Sequence, residues 1–368
     1  MAVAISVLEY GAIPDGSMAS GTGTDNTESF RRALADGRPV YVPPGTYRIT
    51  AGLRVAAQQL FGAGPGLSTL MQTSVNEPVL IASSGGTRIA DLRLTHFSLP
   101  PDTISVPDGV GIRCVRLGDM SVIERVAIYN CTSGVYSYES LTEGESNYIY
   151  SVQMQNLRIE RFRHSAVYLR GSGAGNTGCV LQNIYAQNRS ADGTNVSSLY
   201  GYYFETFTEL SATQLNIEWG DYQKGIVIAE SQNTNLRSLH FERYRATLTH
   251  GSFIDIRGST SLNAVLSSIA LKNCEFSADA ASEYSIIRVE GRAFVFLQAL
   301  SVEGSVISGN PTLTAIVCRP DSHEMSIEAM GVRIIDHSFQ EVDVRPTSAR
   351  SVIRRFNNHP PSNAVPLE

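Results

Sequence analysis

Apolar and polar residues alternate in short bursts along most of the chain, and the bursts recur in two forms. The first form carries apolar side chains two residues apart, at Val126/Ile128, Leu157/Ile159, Ile184/Ala186, Leu215/Ile217, Leu239/Phe241, Cys274/Phe276, Leu300/Val302 and Val332/Ile334. The second follows at Val135/Ser137, Val167/Leu169, Tyr202/Phe204, Ile226/Ile228, Ile254/Ile256, Ile287/Val289 and Ile316/Cys318. Alternation of period two marks strands with one buried face. Successive second bursts lie 24 to 35 residues apart, and a steady beat with variable filling predicts stacked coils rather than hairpins. The expected fold is all-β, a parallel β-helix built as a single-stranded solenoid whose coils bury their apolar stripes against one another.

The N-terminal fifty residues break this rhythm. Thr24-Asp25-Asn26-Thr27-Glu28-Ser29-Phe30-Arg31-Arg32-Ala33-Leu34 predicts a short helix with Phe30, Ala33 and Leu34 on one face. Asp25 with Glu28 three residues later predicts a capping box. A solenoid end exposes core and unpaired strand edges, so this helix is expected to close it. The predicted organisation is a cap with the first strand over 1–50, coils over 51–345 and a tail over 346–368, where Pro346 and Pro360-Pro361 end the rhythm. Residues 95–109 and 188–200 are predicted loops that swell individual coils.

The run Tyr10-Gly11-Ala12, Asp15-Gly16, Thr24 to Leu34, Val40-Tyr41-Val42-Pro43-Pro44-Gly45-Thr46-Tyr47-Arg48-Ile49, followed by Leu60-Phe61-Gly62-Ala63-Gly64-Pro65-Gly66, resembles the N-terminal cap and first coils of the pectate-lyase-like superfamily. The resemblance implies a right-handed β-helix and a kinship with bacteriophage tailspikes and polysaccharide depolymerases. It further implies a homotrimer, on the virion tail or extracellular, folded in the host cytoplasm and facing a bacterial surface polysaccharide. The paired-Asp and Gly-His-Gly pattern of polygalacturonases, the Asp-Pro-His-Glu run of mannuronan epimerases and the calcium signature of classical pectate lyases are missing here. The reaction class is therefore not fixed by the resemblance.

Charge narrows the partners. A formal net charge of -6 and a pI near 5.7 speak against nucleic acid, whose phosphates demand a basic stripe. No apolar run reaches the ~18 residues of a spanning helix, so no membrane insertion is expected. Five cysteines cannot all pair; Cys274 and Cys318 fall on inward positions, as small core residues do. The seven histidines show no zinc-ligand spacing, so neither a metal nor a cofactor is expected.

Candidate chemistry comes from the outward positions of the first burst. Glu218 and Glu242 fall on adjacent coils, which sets them ~4.8 Å apart along the axis. Two carboxylates so close repel, and one tends to keep its proton, which supplies an acid and a base for glycoside cleavage. His240, two residues before Glu242 on the same face, is the third expected catalytic residue. Trp219, the single tryptophan, offers a flat apolar platform for a sugar ring. Asn216 and Tyr185 occupy outward positions, and Asp221, Tyr222 and Lys224 are read as a turn just beyond Trp219. These six residues are the expected substrate contacts. The same carboxylates are also what an ordinary solvent face presents, and Arg170, Glu205, Arg257, Glu290 and Arg319 read as a salt-bridge ladder. The expected activity is hydrolysis within a capsular or O-antigen glycan. A non-catalytic glycan-binding adhesin and a uronate lyase, with Lys224 or Tyr222 as base, are the alternatives.

Overall fold

A computed structural model describes residues 3–101, 109–138, 147–171, 176–190, 192–246 and 251–257, and seven further strands between 267 and 356; beyond residue 240 side chains are described only for 253–257. The chain divides into two units, 1–186 and 187–368. Within each, the paired strands are parallel, as coil stacking requires.

In the first unit one inward column runs Ile5, Val40, Leu60, Ile89, Ile123 and Met154, each in register with the next. All six side chains are buried. The predicted register holds beside it: Val126 pairs with Leu157 and Ile128 with Ile159, then Val135 with Val167 and Ser137 with Leu169. In the second unit Ile217 pairs with Phe241, Ile226 with Ile254, and Ile228 with Ile256. Cys274 pairs with Leu300, Ile287 with Ile316, and Val289 with Cys318. Val332 lies outside the described residues. Cys114, Cys131 and Cys179 are buried free thiols, and burial pushes those of Cys114 and Cys179 up to about 12. They behave as small core residues.

Both bursts of a coil can lie on one bent strand, as in Val122–Ser137, Gln153–Arg170 and Leu210–Ala229. The bend before an inward pair uses a single left-handed residue. Asp91, Arg125, Asn156 and Asn183 occupy it in the first unit, Gln214 and Ser238 in the second, with φ between 50° and 57°. Asparagine and aspartate tolerate this region through local hydrogen bonding. Asn183 Nδ2 donates to Asn156 Oδ1 on the adjacent coil at 2.7 Å. That bond ties two corners together.

The helix forms at Thr27–Ala35 and buries Phe30, Ala33 and Leu34. Phe30 meets Tyr47 edge-on, with ring centroids 5.6 Å apart. The expected capping box is corrected. Asn26 is the N-cap, Glu28 pairs with Arg31, and Asp25 instead accepts from Thr27 N at 3.0 Å and from the Thr50 hydroxyl at 2.7 Å. A true capping box joins Ser6 and Glu9 on the preceding short 3-10 turn. The stretch read as a C-terminal tail contains the strand Val352–Phe356, which pairs with Met325–Met330. Residues 197–200, read as loop, belong to the strand Ser197–Glu205.

Candidate functional site

The strand Leu210–Ala229 builds the candidate site in the second unit. Leu215 and Ile217 point inward and are wholly buried, leaving Asn216 and Glu218 partly exposed between and beyond them. Its partner His240–Ala246 lies in register, so that Asn216 faces His240 and Glu218 faces Glu242. Backbones of paired parallel strands lie ~4.8 Å apart, so the two glutamates stand on directly adjacent rungs. His240 is partly exposed and also pairs with Glu275 of the next strand. The Glu242 side chain lies outside the described ones.

Trp219 forms the corner that follows. Its φ of 41° is left-handed, a region that is an outlier for a bulky residue. In the first unit, the residues two beyond the second inward position are Asn130 and Arg161, also left-handed, at 51° and 58°. The corner geometry is thus a property of the coil, but the indole is a costly occupant, on the order of 1–2 kcal/mol. Gly220 completes the bend. A Cβ there would stand 2.7 Å from both Asn188 Cβ and the Tyr222 ring, so only glycine fits.

Residues 188–190 and 192–196 fold over this corner, with Arg189 and Asn195 bridged in antiparallel sense. Ser190 N donates to Thr194 O at 2.7 Å, Val196 N to Asn188 O at 2.8 Å, and Asp192 accepts from Thr194 N at 3.0 Å. Asn188 N donates to Trp219 O at 2.6 Å, and Asn195 Nδ2 to Asp221 Oδ1 at 3.2 Å. These bonds seat Arg189 with its guanidinium 4.2 Å from the centroid of a Trp219 ring, a cation–π contact. Nothing in the local sequence around Arg189 announced this. The loop itself was legible, but its docking depends on the Trp219 corner.

Two expected contacts change role. Residues 219–222 are not a turn between strands but a bend within one. Tyr222 is wholly buried, and its hydroxyl donates to Glu218 O at 3.2 Å and Trp219 O at 3.4 Å. It props the corner from inside. Lys224 pairs with Asp255, a fully buried carboxylate whose same oxygen also accepts from Arg257 Nη2 at 3.1 Å and Nε at 3.2 Å. The expected salt-bridge ladder is interrupted, since Ala229 stands between Glu205 and Arg257, while Glu205 accepts from the Tyr203 hydroxyl at 2.7 Å. Glu290 and Arg319 lie outside the described side chains. Tyr185 belongs to the first unit, where its ring lies 5.2 Å from Arg158 Cζ. Among the described residues no three His, Cys, Asp or Glu side chains form a metal-sized group.

The comparisons with known proteins bear on the fold. Residues 4–89 match the family model for rhamnogalacturonase A/epimerase, pectate lyase-like. A pre-neck appendage protein of Bacillus phage B103 is 27% identical over 100 residues, covering 26% of this chain and only 11% of that protein. The catalytic unit of a GH87 alpha-1,3-glucanase from Streptomyces thermodiastaticus strain HF3-3 superposes with a TM-score of 0.61 at 16% identity, over 98% of this chain and 69% of that one. The gp42 tailspike of Acinetobacter phage vb_AbaP_AS12 gives 0.59 at 11% identity, over 89% and 63%. The expected right-handed parallel β-helix is borne out.

Proposed function

We propose that this chain, whose fold is that of a pectate-lyase-like right-handed β-helix, is of the tailspike type and acts on polysaccharide, as a glycoside hydrolase that cuts within a bacterial surface glycan. The observation that carries the reading is the opposition of Glu218 and Glu242 on adjacent rungs, beside an indole held in an unfavourable corner conformation. Outliers of this kind cluster at functional sites. The rung spacing of ~4.8 Å is near the ~5 Å carboxyl separation of retaining glycosidases. Glu218 and Glu242 act as acid and nucleophile or base with His240 beside them in the catalytic group, Asn216 holds a substrate hydroxyl, and Trp219 with Arg189 and Asp221 borders the sugar. The resemblance to a phage appendage protein and a tailspike supports a place on a virion; the homotrimer is proposed from the family likeness of the sequence alone.

Hydrolysis is favoured over uronate lysis. A lyase needs a free base beside the uronate, and the two candidates for it are engaged: Lys224 in its pair with Asp255, and Tyr222 in the core. The test is product analysis on an identified glycan. Hydrolysis yields new reducing ends with no rise in ultraviolet absorbance. Glu218→Gln and Glu242→Gln should each lower turnover by about 10²-fold or more with melting temperature and binding little changed. Absorbing, unsaturated ends, or near-normal turnover in both variants, would refute the assignment.

A further inference from the structure

Just beyond their bends, the strands Arg88–His96, Val122–Ser137 and Gln153–Arg170 align outward residues as a slot between two arginines that the catalytic reading does not use. Arg93, Ala127 and Arg158 form one column across three successive strands, and Thr95, Tyr129 and Glu160 form the next. The two arginines are therefore two rungs apart, ~9.6 Å along the stack. Ala127 floors the gap between them and Tyr129 walls one side. Arg93 Cζ lies 4.3 Å from the Tyr129 ring centroid. The ring holds the guanidinium plane without consuming its N–H donors, which a carboxylate partner would do.

Charge decides what fits. The neighbouring cations are matched: Arg88, just before the bend, with Glu124 at 2.6 Å, Arg125, at the bend, with Asp91 at 2.7 Å, and Arg158, on this face, with Glu160. Arg93 has no carboxylate partner among the described residues, and its contact there is the Tyr129 ring. The slot thus offers one uncompensated cation beside an aromatic wall. A nucleic acid carries a phosphate at every nucleotide and needs several such cations. A glycan with one acidic group per several sugars needs one.

We propose that this slot binds an acidic polysaccharide, with a carboxylate of the glycan on Arg93 and a neighbouring sugar against Tyr129. The inference rests on the glycan reading above and names the class of glycan. It does not depend on cleavage.

Binding of the whole chain is measured against xanthan and a panel of acidic capsular polysaccharides, each native and after carboxyl reduction. Dextran and a twenty-residue oligothymidylate serve as controls. At least one acidic glycan should bind, and carboxyl reduction or Arg93→Gln should each weaken it about tenfold or more, as loss of a charge-assisted contact does. Arg93→Lys should recover part of the affinity, because it keeps the charge and loses the planar fork. The proposal fails if no acidic glycan binds, if carboxyl reduction or Arg93→Gln leaves affinity unchanged, or if the oligonucleotide binds more tightly than any glycan. A glycan that is bound through Arg93 and left uncut counts against hydrolysis alone. A neutral glycan cut with full activity, while acidic ones are ignored, counts against the slot alone.

Discussion

The two units carry similar coils with very different occupants at their outward positions. On the second-burst face of the first unit, Tyr136 and Tyr168 stack with centroids 5.2 Å apart, His164 lies 5.1 Å from Tyr168, and all three are nearly buried. Burial keeps the Tyr136 hydroxyl protonated and the His164 ring neutral at pH 7. On the same face of the second unit, buried Asp255 is clasped by Lys224 and Arg257, and its Oδ1 has no hydrogen-bond partner among the described residues. The corners differ likewise, with Asn130 and Arg161 in one unit and Trp219 in the other. Polar corners and aromatic stacks satisfy the coil cheaply. A buried carboxylate and a left-handed tryptophan do not, and such costs persist where something other than stability retains them.

The strongest way to break this contrast is Asp255→Asn. Removing one partner of a buried ion cluster typically costs 3–5 kcal/mol. Lys224 and Arg257 are 18% and 37% exposed at their side chains, so water relieves part of that, and about 3 kcal/mol is expected from denaturant unfolding. A loss below about 1 kcal/mol would mean that Lys224 and Arg257 are solvated well enough without Asp255, and that the cluster is not a closely coupled buried unit.

Acid should erase the difference from the other side. Burial lowers the His164 pKa from 6.5 to about 4, so between those values the unfolded chain binds the proton more readily. Stability is then full above pH 6.5 and falls as pH drops towards 4, by an amount approaching about 3 kcal/mol. His164→Gln should flatten the melting temperature over that window. Wild type and variant losing stability in parallel would show that His164 is not the group responsible.

Gly220→Ala tests the corner backbone. With contacts of 2.7 Å to Asn188 and Tyr222, the methyl must push Asn188 and the residues beside it away or shift the ring, at about 1–3 kcal/mol. Loop displacement should also expose Trp219, read as a red shift of its fluorescence; an unshifted spectrum with unchanged stability would contradict the packing described.

How much of this was legible depended on periodicity. The inward pairs could be read because alternation of period two leaves little freedom, and Glu218 opposite Glu242 followed from it. The corners could not. Asp, Arg, Asn, Gln and Ser all occupy the same left-handed position, so no residue type marks it. Tyr222 was misread for the same reason. The bend at Trp219-Gly220 shifts the phase by one, so that Ile217 and Tyr222 both face inward although five residues apart. Arg189 was invisible because its partner is reached only through the folded loop. Asp255 looked like any outward acid until the neighbouring coils enclosed it.

The smallest expected effect is on stability and the most telling is its sign. Trp219→Asn gives the second unit the corner residue that the first uses at Asn130. Asparagine enters the left-handed region more readily than tryptophan, so strain is relieved. The same change removes the ring under Arg189, a cation–π contact worth ~0.5–1 kcal/mol where exposed. The two nearly cancel, and the melting temperature should stay within the shift of about 1 kcal/mol or rise. Glycan binding should fall about tenfold, since an aromatic face that borders the sugar is gone. Turnover of bound substrate should change little, because Glu218 and Glu242 keep their rungs. If instead the variant is clearly destabilised and binds glycan normally, Trp219 is a packing residue under its loop, and the contrast between the two corners reflects folding rather than recognition.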